Sequence, residues 1–290
     1  MTTTQQRSAG SVTTHPLTPL SAEEITRAAT ILRESGHLSD ACRFVSIVLR
    51  EPPKPAVLAF EAGGPVPDRE AAVVVLDKSD GATYEAVVSL SDNAVRRREH
   101  VPGVQPQVLF EEFFDCEAIV KADPAVHEAL RKRGITDLDG VTVDPWSAGN
   151  YGDEAEGRLL RGLIWVKIGG PDDNGYAHPV ENLIVYVDIN ARKVVKIEDH
   201  GVVPVPQQPG NYTPDVVEPR TDLKPISIDQ PEGTSFTVDG HEVRWQKWRF
   251  RVGFTPREGL VLHTLRYTDG DRERSILYRA SLSEMVVPYG

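Results

Sequence analysis

Cysteine is the scarcest chemistry in this 290-residue chain: there are two, Cys42 and Cys116, and only two methionines. Two cysteines build neither a disulfide framework nor a cysteine-based zinc site, and with Phe44, Phe113 and Ile119 nearby they read as buried, inert thiols. No window approaches the roughly 18 consecutive apolar residues of a membrane span, so a transmembrane protein is excluded. The opening Met1-Thr2-Thr3-Thr4-Gln5-Gln6-Arg7 has no apolar stretch behind its Arg, which argues against a secretory signal and for a cytoplasmic location. Excess positive charge is missing as well. The net charge is −11, and the basic run Arg96-Arg97-Arg98 is flanked by Asp92 and Glu99. Nucleic-acid binding needs clustered cations, so it is not expected.

Catalytic motifs are equally scarce. The sequence has no Gly-x-Ser-x-Gly, no glycine-rich phosphate loop, and no cysteine close to a histidine. Its eight histidines, at 15, 37, 100, 127, 178, 200, 241 and 263, include no two within five residues of each other. A local metal site needs closer pairing, so each reads as a surface or capping residue. Asn150-Tyr151 and Asn211-Tyr212 are the Asn-Tyr pairs, and Asn211-Tyr212-Thr213 is a glycosylation sequon without a secretory route.

What is present is 40% hydrophobic and 26% charged residues, a globular composition long enough for more than one domain. Residues 1–14 are polar and read as a disordered tail. Ser21 and Glu24 form a capping box before Ile25, Ala28, Ala29 and Leu32 at helical spacing, and Gly36 ends that helix. Strands are predicted at 43–49, 71–77 and 83–90, the last two joined by Asp80-Gly81. The order then recurs: a helix at 108–122, a second one capped by Asp123-Pro124, and strands at 141–143, 159–168, 183–188 and 194–197. Five prolines between Val202 and Pro219 give linker composition. Beyond them, strands at 235–238, 243–252, 260–267 and 275–280 are punctuated by Asp239-Gly240 and Asp269-Gly270. The predicted class is α+β. Two small domains of helix plus antiparallel meander, 15–105 and 106–219, precede an incomplete β-sandwich over 220–290.

Several stretches, in order along the chain, resemble the copper-containing primary amine oxidases of bacteria. They are Leu160-Arg161-Gly162-Leu163, Ala177-His178-Pro179-Val180-Glu181, Gly201-Val202-Val203-Pro204-Val205-Pro206, Gly210-Asn211-Tyr212-Thr213, Lys224-Pro225-Ile226-Ser227-Ile228, Gln230-Pro231-Glu232-Gly233 with Ser235-Phe236, and Ala280 through Gly290. The resemblance runs from about residue 15 to the end and is strongest after 155.

It implies a homodimer that turns a primary amine and O2 into aldehyde, ammonia and hydrogen peroxide. The family uses Cu(II) on three histidines, topaquinone made from the Tyr of an Asn-Tyr-Asp/Glu motif, and an Asp base. This chain departs from that pattern: Tyr151 is followed by Gly152, Tyr212 by Thr213, and no His-x-His pair occurs. The base Asp is expected just after the match to Gly290. The expectation is therefore an amino-terminal part with two accessory domains and the first strands of the catalytic β-sandwich. Such a chain holds no copper ligand and no catalytic residue, is inactive by itself, and leaves strand edges uncovered. By resemblance, Phe113, Pro145, Trp146 and Tyr176 line the substrate channel and Tyr289 is its aromatic gate. Core packing competes for Phe113 and Tyr176, whereas Trp146, in the Pro145–Gly149 loop, favours the channel. A non-catalytic interaction protein is the competing class, and a protease inhibitor of similar plan a third that rests on fold analogy alone.

Overall fold

The structure is a computed structural model that describes residues 14–149, 157–282, 284, 285 and 287. The polar tail therefore lies outside the described residues except for Thr14, as do Asn150-Tyr151, Tyr289 and Gly290.

The chain divides into two compact units. The first comprises residues 1–75, 84–101 and 228–290; the second comprises 76–83 and 102–227.

In the first unit, α1 (Ala22–Glu34) starts as its sequence dictates. The Glu24 amide donates to the Ser21 hydroxyl, and the Glu24 carboxylate accepts from the Ser21 amide. The helix packs Ala28 and Leu32 onto an antiparallel meander of β1 (Cys42–Leu49), β2 (Glu70–Asp77), β3 (Ala82–Ser89) and β4 (Ala94–His100). Cys42 joins that core outside any disulfide, its Sγ 3.6 Å from the Ser39 hydroxyl. A short helix, α2 (Lys54–Glu61), lies between β1 and β2 and is absent from the sequence-based expectation. Arg96-Arg97-Arg98 lies within edge strand β4, which the sequence-based expectation did not include. Charge along an unpaired edge discourages unwanted strand pairing.

The same unit holds a second sheet of five strands in the order β13-β12-β11-β10-β9. These are β9 (Phe236–Asp239), β10 (Glu242–Trp245), β11 (Trp248–Thr255), β12 (Gly259–Asp269) and β13 (Arg272–Ser281). The single strand expected over 243–252 is two, because Gln246 takes φ 54° in a tight turn. Gly240 and Gly270 sit at φ 57° and 58° in the hairpin turns that Asp-Gly announces. β9 and β13 form the edges of this sheet, and Ile276 and Leu277 on β13 are exposed.

In the second unit, α3 (Phe110–Ala122) and α4 (Pro124–Lys132) cover one face of the meander β5 (Val141–Ser147), β6 (Leu159–Val166), β7 (Pro179–Asp188) and β8 (Lys193–Asp199). Asp123 caps α4 by accepting from the amides of Ala125 and Val126. Cys116, Ile119, Val120, Val126 and Leu130 pack onto Val141, Val143, Leu160, Ile164, Leu183, Val185 and Val187. The free Cys116 thiol is fully buried there, and desolvation pushes its pKa up to about 12.

Residues 202–219 carry no regular element, and Val205 packs against the core of this unit. No helix among the described residues is long and apolar enough to cross a membrane.

Candidate functional site

Pro145 and Trp146 belong to strand β5, which corrects the expectation that they sit in a loop. Strand alternation then divides them. Val141, Val143 and Pro145 are buried on the helix-covered face; Thr142, Asp144 and Trp146 lie on the other. The Trp146 side chain is 64% exposed there. It is flanked across the sheet by Arg161 of β6, whose guanidinium lies 5.8 Å from the centre of the Tyr186 ring.

Tyr176 sits in a single 3-10 turn, Gly175–Ala177, and is 66% exposed. It stands edge-on to Trp165 of β6 with ring centroids 5.0 Å apart. Its hydroxyl donates to the Asp144 carboxylate, which with its charge holds the phenol above its ordinary range. The structure thus groups Trp146, Asp144, Trp165 and Tyr176 on one face of the sheet. Core packing is excluded for Tyr176.

Phe113 is elsewhere. It lies on α3, which turns Glu112, Cys116, Ile119 and Val120 inward and leaves Phe110, Phe113 and Phe114 exposed. At 41% exposure Phe113 is not a core residue either. Tyr289 lies outside the described residues. Asp144 and Trp165 escaped the sequence-based selection. The available signal was the alternation Thr142-x-Asp144-x-Trp146, which puts a carboxylate beside an exposed ring.

Two histidines overturn the surface-or-cap expectation. His178 is wholly buried: its Nδ1 donates to the Pro206 carbonyl at 2.8 Å, and its Nε2 lies 3.2 Å from Asp173 Oδ2. His263 on β12 is 4% exposed, with Nε2 2.9 Å from Glu51 Oε1. Glu51 also accepts from Arg279 Nε at 3.0 Å, and these partners hold its carboxyl below its usual range against the desolvation of a half-buried site. Their partners are a backbone carbonyl and single carboxylates. Among the described residues, no group of three or more His, Cys, Asp or Glu side chains comes together as a metal site. Cu(II) favours several nitrogen donors in tetragonal array, and no such donor set is present among the described residues.

Of the Asn-Tyr pairs, only the second is described. Tyr212 is 80% exposed, while the Asn211 amide is occupied: Oδ1 accepts from the Asn174 amide at 2.8 Å, and Nδ2 donates to Asp173 Oδ1 at 3.0 Å.

Three family models match in order: the AGAO-like N2 domain over residues 21–98, the copper amine oxidase N3 domain over 111–214, and the copper amine oxidase enzyme domain over 237–290. The chain belongs to the copper amine oxidase family. Among curated relatives, it is 50% identical to a primary amine oxidase of Arthrobacter sp. (strain P1) over 279 residues, covering 95% of this chain and 42% of the relative. It is 40% identical to a peroxisomal copper-containing diamine oxidase of Nicotiana tabacum, covering 96% of this chain and 41% of that one. Among solved structures, a copper-containing benzylamine oxidase from Hansenula polymorpha superposes with a TM-score of 0.78 at 28% identity, over 96% of this chain and 46% of that one. The chain thus spans less than half the length of these copper amine oxidases.

Proposed function

We propose that this chain supplies the accessory domains and part of the substrate-channel wall of a primary amine oxidase. The observation that carries the reading is the ordered match of three family models, together with 50% identity to a primary amine oxidase over 95% of the chain. The activity proposed is oxidation of a primary amine by O2 to aldehyde, ammonia and hydrogen peroxide, in a homodimer. Copper and topaquinone belong to that activity. The described donors do not fit a copper centre, so no chemical step is assigned to this chain, and by itself it is proposed to be inactive.

Its own residues act on the carbon skeleton of the amine. Phe113, Pro145, Trp146, Tyr176 and Tyr289 are proposed as channel and gate residues. Trp146 and Tyr176 offer exposed aromatic faces, and covering apolar surface favours binding by roughly 25 cal/mol per Å². The division into 15–105, 106–219 and 220–290 is proposed as the domain plan. A cytoplasmic location is proposed on the two buried cysteines, neither in a disulfide, which suit a reducing compartment.

The test is amine-dependent hydrogen peroxide release, with phenylhydrazine labelling of a quinone, by the complete enzyme as purified from its own cells. Release that requires amine and is abolished by the hydrazine supports the reading. A protein that neither takes the label nor consumes amine overturns it.

A further inference from the structure

The 3-10 turn that carries Tyr176 closes two backbone bonds of its own, from the Ala177 amide to the Asn174 carbonyl at 3.0 Å and from the His178 amide to the Gly175 carbonyl at 2.9 Å, but little else within it fixes its place. Gly175–Ala177 has one residue of its own, Gly175, buried, and leaves the Tyr176 ring two-thirds exposed. Further support comes from the proline-rich segment some 35 residues further on. The Asn174 side-chain amide donates to the Gly210 carbonyl at 2.9 Å, and the Asn174 backbone amide donates to Asn211 Oδ1 at 2.8 Å. Asn211 Nδ2 donates to Asp173 Oδ1 at 3.0 Å, while Asp173 Oδ2 accepts from the Gly169 amide at 3.0 Å. On the other side of the turn, His178 Nδ1 donates to the Pro206 carbonyl at 2.8 Å. Gly210 lies so close that a β-carbon there would stand 2.2 Å from Ala177 Cβ. Contact of that kind is impossible without moving the turn, because neither atom belongs to a flexible side chain.

We infer that Gly210 and Asn211 are positioning residues for Tyr176: they clasp the Asp173–His178 loop and so set where the Tyr176 ring stands beside Trp165 and Asp144. This inference deepens the proposed channel role of Tyr176 and rests on it for its functional meaning, while the clasp itself is a statement about this chain alone. It gives the Gly210-Asn211 pair a task that the linker composition of the segment hides. Rather than a free tether, residues 206–211 are a strap fastened across the turn. The strap acts on amine recognition through Tyr176 and touches no reacting group.

The test uses the 290-residue chain with labelled tyrosine and tryptophan. The readouts are the nuclear Overhauser effect between the Trp165 and Tyr176 rings and the titration of the Tyr176 phenol, assigned with Tyr176→Phe. Gly210→Ala and Asn211→Ala are both expected to abolish the ring-to-ring effect and return the phenol to the ordinary tyrosine range, with far-UV circular dichroism unchanged. If Gly210→Ala fails to fold, Asn211→Ala, which adds no bulk, decides alone. Folded variants that keep the ring contact and the titration overturn the clasp. In the complete enzyme, a working clasp predicts a raised KM for amines with little change in kcat for Asn211→Ala. Loss of the spectroscopic signature with KM unchanged would leave the clasp standing and overturn the channel role of Tyr176.

Discussion

Arg158 donates to both carboxylate oxygens of Glu112, at 2.6 and 2.7 Å, with 3% and 0% of the two side chains exposed. The same guanidinium donates to the carbonyls of Pro106 and Gln107, and Glu112 Oε2 also accepts from the Leu109 amide at the start of α3. One buried pair therefore fastens the segment before α3, the first turn of that helix and the residue leading into β6. Removing one partner leaves an uncompensated buried charge, which typically costs about 3–5 kcal/mol. Glu112→Ala is expected to lower unfolding stability by about that amount in urea titrations, with Glu112→Gln losing less. A loss below about 1 kcal/mol for Glu112→Ala would show that water reaches the pair.

Glu258 gives a pH dependence. It accepts from both terminal nitrogens of Arg279, at 2.7 and 2.6 Å, and from the Ser281 hydroxyl at 2.6 Å. These partners, Arg279 foremost, lower its pKa from 4.5 to about 2. A carboxyl depressed in the folded state contributes stability that is complete above its unfolded value and is lost as pH falls through the folded one. The stability gap between the parent chain and Glu258→Gln should thus be constant above about pH 5 and shrink between 4.5 and 2. Denaturant midpoints measured across that range check it. A gap that does not change with pH would mean that the ion pair is not formed in solution.

These features were unevenly legible in the sequence. The capping box at Ser21 and Glu24 and the Asp-Gly turns are local signals, and the structure follows them. Helix α2 was missed, although proline suits the first turn of a helix, where Pro55 stands. Strand β4 was missed because Arg96, Arg97 and Arg98 hide the alternation of an edge strand. The burial of His178 and His263 was invisible for a different reason. Their partners, Pro206 and Glu51, lie 28 and 212 residues away, and no local pattern announces a contact that tertiary folding creates. Trp146 was selected by resemblance and stands exposed, but its neighbour Asp144 becomes meaningful only once the turn carrying Tyr176 is placed against it.

The thiols offer a simple check on both cores. Cys42 and Cys116 are 2% and 0% exposed, and the Cys116 pKa is pushed up to about 12. Reaction needs the thiolate and access to it, so neither should react with a disulfide reagent at pH 8 in the folded chain. Both should react in denaturant, and the rate in intermediate urea should follow global unfolding. One fast equivalent without denaturant would mean that one of the two cores opens locally.

The clasp also changes what the proline-rich stretch predicts about proteolysis. Composition alone makes all of 202–219 a cleavable linker. The structure divides it: Val205 packs on the core, Pro206 accepts from His178, and Gly210 and Asn211 are held by Asn174 and Asp173. Leu223, Ile226 and Ile228, further along the same stretch, are 65%, 91% and 94% exposed. Thermolysin prefers bonds preceding large apolar residues and needs several residues of backbone to enter its cleft, so the most exposed chain is cut first. Brief digestion followed by mass spectrometry should therefore place the first cuts before Leu223, Ile226 or Ile228 and leave Val203 and Val205 intact. Asn211→Ala should spread the cuts back toward Val203 and Val205, because loosening the strap frees the backbone on its amino-terminal side. First cuts at Val205 in the parent chain would instead mean that residues 205–211 are unfastened in solution.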